Sequence, residues 1–195
     1  MALPTLILVG AGGHCRSCID VIALEGRYVI AGIVGRPEER GTPVLGHVVS
    51  HVDDDLPELV AEGHSFLITI GQIGAPGRRQ ELFERLRSLG AVFATVISPR
   101  SYVSSHAHVG EGTIVMHHAL INASATVGVD CIINSKSLVE HDAVVGDHVH
   151  VATTAVVNGG AVIGEGSFIG SGAVLKEYVT VPPGSFIKAN AIYKG

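Results

Sequence analysis

Tryptophan is absent from this chain, cysteine occurs only three times, and basic residues are outnumbered by acidic ones. Each shortage excludes something. Thirteen Lys and Arg against 18 Asp and Glu give a net charge of −5, so no broad basic surface exists for nucleic acid. No run of about 18 apolar residues occurs, so no segment reads as a membrane span and no membrane partner is expected. Three cysteines make no even disulfide framework and fit a reducing cytoplasm. The apolar start, MALPTLILVG, lacks a basic leader and a small-residue cleavage site and reads as a buried strand. Glycine, by contrast, is abundant at 25 residues, which suits a chain with many tight turns. The length, 195 residues, allows one large domain or two small ones with a substantial core.

Residues 1–96 alternate strand and helix patterns. TLILVG (5–10), YVIAGIV (28–34), SFLITIG (65–71) and VFATVIS (92–98) read as strands. Between them lie a helix closed by Gly26, a helix over 53–63 with an acidic first turn, and an amphipathic helix over 78–90 with Leu82, Leu86 and Leu89 on one stripe. Such alternation predicts a parallel sheet with right-handed crossovers.

From Ile97 the period becomes six. An aliphatic residue stands at every sixth position through Ile187, and four residues after each comes a small or modest side chain, from Ser101 to Ala191. Six is not a helix period. The small residue and the next aliphatic are two apart and share one strand face, so the residues between must turn. Asn122, Gly128, Asn134, Gly146, Asn158, Gly164 and Gly170 occupy the first turn position, where the bend is expected. Strand, turn, strand, repeated without insertion, makes a solenoid.

This pattern resembles the hexapeptide-repeat acyltransferases. The resemblance implies a left-handed parallel β-helix over 97–195, three hexads per coil, following a Rossmann-like α/β domain over 1–96. Residues 18 apart then stack. Tyr102, Leu120, Leu138, Val156, Val174 and Ile192 form one outward column; Ile114, Ile132, His150, Phe168 and Phe186 form another. Both are too apolar to face water, which points to a ring of subunits, and a homotrimer is the simplest closure. The competing explanation is that the N-terminal domain covers one face.

Seven histidines fall in the repeat, yet no two are 18 residues apart, so no histidine column offers a metal site. His141 has Ala123 and Gly159 as its coil neighbours, leaving room beside the ring, and is flanked by Glu140 and Asp142. A carboxylate beside an imidazole fixes its tautomer and raises its basicity. A solvated turn histidine is the alternative.

INSKSLVEHDAVVGDHVH (133–150) is similar to bacterial sugar acetyltransferases of the sialic-acid and bacillosamine type, as are GTIVMHHALINASATVG before it and NGGAVIGEGSFIGSGAVL after it. The resemblance implies an acetyl-CoA-dependent enzyme with no metal. It implies that His141 is the general base, tuned by Asp142, and that His150 contacts the acetyl group with Asn134 in the same pocket. It places Ser171 and Ala189 along the coenzyme. Cys131 occupies a small inward slot, so a covalent acyl-enzyme is not expected.

GAGGHC (10–15) joins the first strand to a helix, a geometry suited to a phosphate or sugar carboxylate. The resemblance implies that this domain holds a nucleotide-sugar acceptor through Gly12, Gly13, His14 and Gly71. His14 also reads as a cap at the helix start. Related sequences often carry an acidic pair where Gly35 and Arg36 stand here. Cys15 and Cys18 form a lone C-x-x-C with no second pair for zinc.

The expected function is acetylation of an amino group on a nucleotide-linked sugar in bacterial surface-glycan synthesis. O-acetylation of a sialic-acid-like sugar is the alternative within the same chemistry. A non-catalytic partner of a sugar-pathway enzyme is the alternative outside it.

Overall fold

The computed structural model describes residues 2–74 and 76–195. It divides into two compact units, one formed by residues up to Gly71 with Arg78–Ala94, the other by Gln72–Gly77 with Thr95–Gly195.

The first unit is an α/β layer structure. Its strands are β1 (Thr5–Val9), β2 (Val29–Gly35), β3 (Pro43–Val44), β4 (His47–Val52), β5 (Ser65–Ile68) and β6 (Val92–Phe93), in the order β3-β4-β2-β1-β5-β6. All pairs are parallel except the β3–β4 hairpin. Leu6, Ile7, Leu8 and Val9 of β1 are buried, as the central strand of a parallel sheet requires. The helices are α1 (Gly13–Glu25), α2 (Leu56–Ala61) and α3 (Gly77–Ser88). Strand β4 lies beyond what the alternation announces. The stripe on α3 also differs: Leu82, Phe83 and Leu86 are buried, while Leu89 falls past the helix end and is 38% exposed.

The second unit is a left-handed parallel β-helix. Its strands are two residues long, from Val96–Ile97 to Ile192–Tyr193, and pair parallel with the strand 18 residues away. They form three sheets of six, six and five strands, the faces of a triangular prism. The faces are named here by the strands Ile132–Ile133 (first), Leu138–Val139 (second) and Val144–Val145 (third). Inward residues such as Val127, Val145, Ile163 and Leu175 are at most 1% exposed and pack against the small Ala125, Ala143, Ala161 and Ala173. Each fully buried aliphatic side chain contributes about 1.5–3 kcal/mol, and so the six-residue period cannot lapse without cost.

Left-handed backbone recurs every six residues from Gly112 to Asn190, two positions after the expected bend. His118, Ser124, Lys136, Asp142, Thr154 and Tyr178 adopt it alongside glycines. The glycines at the first turn position serve another purpose. A Cβ on Gly146 would lie 2.8 Å from Glu165 N and 2.9 Å from Ile163 O, so this corner admits no side chain because the next coil's backbone occupies the space.

The two apolar outward columns have different fates. On the first face Ile114 and Ile132 are fully buried, and His150 and Phe168 are 8% exposed. Gln72 and Gly74 lie against this face: Gln72 O is bonded to His150, and Gly74 approaches Phe186. On the second face Leu120, Leu138, Val156 and Val174 are half-buried, with Tyr102 and Ile192 exposed at the ends. The single chain therefore leaves one apolar face open.

Candidate active site

The second corner of the prism, between the second and third faces, carries His141 and Asp142. Glu140 builds this turn. Its Oε2 accepts the His141 backbone N–H at 3.1 Å and the Asn122 Nδ2–H at 2.8 Å, while Asn122 Oδ1 accepts Ala123 N–H at 2.8 Å. Those bonds hold the Glu140 carboxyl below its ordinary pKa, the Asn122 amide contributing most. Asp142 takes the left-handed conformation, with φ 60°, which aspartate tolerates better than most side chains.

Asp142 Oδ2 lies 2.8 Å from His141 Nδ1. The carboxylate accepts, so Nδ1 carries the proton and Nε2 keeps its lone pair. The bond to Asp142 raises the imidazole pKa above 6.5, opposed by slight desolvation. The side chains are 54% and 65% exposed, so the pair is open to a substrate. The ring lies over Gly159: a Cβ there would stand 2.8 Å from His141 Cε1 and Nε2.

Asn134, His150, Ser171 and Ala189 belong to the first face and the first corner, between the first and second faces. Asn134 Oδ1 accepts Ser135 N–H at 2.7 Å, which turns its Nδ2 toward His150 Nε2 at 3.0 Å. Nε2 accepts, so His150 donates its Nδ1–H to Gln72 O at 2.6 Å. Both ring nitrogens are engaged, and no His150 N–H remains for an oxyanion in this arrangement. Ser171 and Ala189 are exposed and linked by the Asn190 N to Ser171 O rung of 2.9 Å. Within one protomer the structure thus does not bring these four residues to His141. One face width, roughly 15 Å at the rise of a strand, separates the two corners.

In the α/β unit, the strand order reverses at β1, with β2 on one side and β5 on the other. The crevice outside the strand ends at such a switch point is where ligands bind in open α/β sheets. Gly12, Gly13, His14 and Gly71 gather there. Gly12 is the N-cap of α1, so His14 is not the cap but sits in the first turn, its Cβ facing Gly71. A Cβ on Gly12 or Gly13 would meet nothing within 4 Å. Packing therefore does not demand these glycines, whereas a ligand approaching the backbone would. Thr69 Oγ1 donates to Gly10 O at 2.6 Å and ties the loop to the end of β5. Arg79, 1% exposed, donates to Ile68 O and Ile70 O at 3.1 and 2.9 Å. Neither residue was marked by any motif. Arg36 is paired with Glu38 and Glu39, which follow it by a turn.

Cys15, Cys18 and Cys131 are buried thiols outside any disulfide, and burial pushes the Cys15 and Cys18 thiols upward, the reverse of a redox-active pair. Among the described residues no three His, Cys, Asp or Glu side chains gather as a metal site, and no helix is long and apolar enough to cross a membrane.

A family model described as the PglD N-terminal domain matches residues 5–86, and one described as bacterial transferase hexapeptide (six repeats) matches residues 142–177. Solved structures match over nearly the whole chain. A histidine-to-asparagine variant of perosamine N-acetyltransferase from Caulobacter crescentus, in complex with CoA and GDP-perosamine, has a TM-score of 0.91 at 30% identity and covers 99% of this chain and 90% of that one. The acetyltransferase domain of PglB from Neisseria gonorrhoeae, in complex with acetyl coenzyme A, has a TM-score of 0.88 at 28% identity and covers 98% and 93%. No curated protein sequence matches the chain.

Proposed function

Because the chain belongs to the hexapeptide-repeat, left-handed β-helix acetyltransferases related to PglD and perosamine N-acetyltransferase, we propose that it acetylates the amino group of a nucleotide-linked amino sugar in bacterial surface-glycan biosynthesis. Acetyl-CoA is the acetyl donor of such an enzyme. The observation that carries the reading is the exposed His141–Asp142 pair, with Nε2 unencumbered above Gly159.

An amine attacking a thioester carbonyl must shed a proton. His141 Nε2 receives it as the C–N bond forms, and Asp142 stabilises the imidazolium that results; the C–S bond then breaks and the departing thiolate takes up that proton to leave as the coenzyme thiol. A base with a pKa near 7 is matched to that task and contributes about 10²–10⁴-fold. Glu140 and Asn122 hold the turn and so fix where Nε2 points. His150 keeps its ring pinned by Gln72 O and Asn134 and acts as a wall of the pocket. Gly12, Gly13, His14 and Gly71 hold the nucleotide sugar, where the N-terminus of α1 favours phosphate.

The working unit is a homotrimer. His141 and Asp142 stand on one corner and Asn134, Ser171 and Ala189 on another, so the site is incomplete in one protomer. A three-fold ring sets the second corner of one subunit beside the first corner of its neighbour. The open face with Leu138, Val156 and Val174 is covered by the same contact and offers an apolar wall to the methylene-rich arm of the coenzyme.

Mass spectrometry of products from a panel of free and nucleotide-linked sugars tests the assignment. The expected product is an alkali-stable amide on a nucleotide-linked amino sugar. An alkali-labile ester would overturn it in favour of O-acetylation, and transfer confined to free sugars would overturn the nucleotide-linked acceptor.

A further inference from the structure

Charge is divided unevenly among the corners of the prism. Residues 97–195 contain seven Asp and Glu, and all of them fall on the second corner or on the third, between the third and first faces. The first corner has none. Its turns are residues 98–101, 116–119, 134–137, 152–155, 170–173 and 188–191. They hold three of the five Lys and Arg in the same stretch, namely Arg100, Lys136 and Lys188. A chain of net charge −5 thus keeps one edge of its β-helix free of acid.

Arg100, His118 and Lys136 hold the same turn position in successive coils, and all three are exposed. Rungs tie these turns together: His118 N donates to Arg100 O at 3.2 Å, and Lys136 N to His117 O at 3.0 Å. Each coil advances about 4.8 Å, so the side chains stack one above another. The turns beneath them are braced. Ser98 Oγ accepts Arg100 N–H at 3.0 Å and pairs with His117 Nδ1 at 2.7 Å, and Asn134 Oδ1 accepts Ser135 N–H at 2.7 Å. Stacked cations repel one another, and their own corner offers no carboxylate to relieve them. An anion would, and both Arg and Lys are donors suited to phosphoryl oxygens.

Place along the prism decides whose phosphate this is. The coenzyme positions proposed above run from Asn134 through Ser171 to Ala189, toward the last coils, where exposed Lys188 adjoins Ala189. Arg100 and His118 lie in the two coils on the other side of Asn134. The acceptor approaches the acetyl group from the end that the coenzyme leaves open. Lys136, two residues beyond Asn134, stands where the two substrates meet.

We propose that Arg100, His118 and Lys136 form an anion-binding column for the diphosphate of the acceptor nucleotide sugar. The inference rests on the nucleotide-sugar reading above and adds phosphate contacts on the β-helix to those at the N-terminus of α1. The column takes no part in bond making. It draws in the acceptor and holds its phosphates while the amine is presented to the thioester.

Calorimetric titration of the full-length protein with UDP, GDP and CoA tests this. Arg100→Gln combined with Lys136→Gln weakens whichever nucleoside diphosphate the wild type binds by about tenfold or more, and leaves CoA within about twofold. Added salt weakens diphosphate binding to the wild type more than to the double variant, a dependence that a merely structural role would not produce. The melting temperature and the mass by light scattering stay at their wild-type values. Unchanged diphosphate affinity overturns the inference, and so does a loss of CoA binding instead, which gives the column to the coenzyme phosphates. A lowered mass overturns it too, because the column is then a seam between copies. A wild-type protein that binds CoA but neither UDP nor GDP overturns the nucleotide-sugar reading along with it.

Discussion

Replacing Asp142 by Asn separates the tuning of the proposed base, His141, from the base itself. In the wild type the carboxylate lies 2.8 Å from His141 Nδ1 and raises the imidazole pKa above 6.5. The base works when neutral. Activity is therefore low below the raised pKa and climbs as pH rises through it, placing the acid limb of the kcat/KM profile above 6.5. Asp142→Asn removes the negative charge but keeps an oxygen that can accept the Nδ1 proton. The limb moves down to about 6.5 or below, so the variant retains a larger share of its plateau at acid pH. The plateau itself falls, because the imidazolium formed in the transition state loses its counter-charge. The pair is more than half exposed, so solvent screens the charge and limits the loss to roughly tenfold, well short of the 10²–10⁴-fold of a missing base. The assay is release of the coenzyme thiol, followed from pH 5.5 to 9 with saturating acceptor and varied acetyl-CoA. An acid limb at the same pH in variant and wild type would refute the reasoning, since the titrating group would not be the one that Asp142 touches.

Two further outcomes are expected. Leu138→Asp puts a charge on the open apolar face and converts the proposed trimer to monomer, read by light scattering during size exclusion; a variant that keeps the wild-type mass places the seam elsewhere. Gly159→Ala sets a methyl group 2.8 Å from His141 Cε1 and Nε2 and pushes the imidazole aside. It lowers kcat at least tenfold while the melting temperature shifts by only a few degrees, because the obstructing atoms belong to a side chain that can rotate away.

The β-helix was legible because its constraint is local and repeated. Every inward position from Ile97 to Ile187 faces the same narrow core, and a polar residue at any of them would forfeit burial. The left-handed turn position was not legible. Coil closure imposes it on Lys136, Thr154 and Tyr178, side chains that do not advertise positive φ. Glycines such as Gly146 advertise it and instead answer to a neighbouring coil's backbone. Strand His47–Val52 was hidden because its buried face is slight, with only Val49 fully enclosed.

The site divides in the same way. The adjacency of His141 and Asp142 can be read along the chain, and the room above Gly159 follows from the 18-residue stack. The bonds that set the state of His150 cannot be read so, since Gln72 lies 78 residues away and contributes only a carbonyl. The apolar outward columns ask for cover without naming it, and on the first face the chain's own Gln72 and Gly74 contribute to it.

The most direct measurement is single-turnover acetyl transfer by His141→Asn, with folding checked by its melting curve. The account predicts a rate at least a hundredfold below wild type at pH 8, at an unchanged melting temperature and with CoA still bound. Transfer at the wild-type rate would contradict it, because proton removal from the acceptor would then belong to another group.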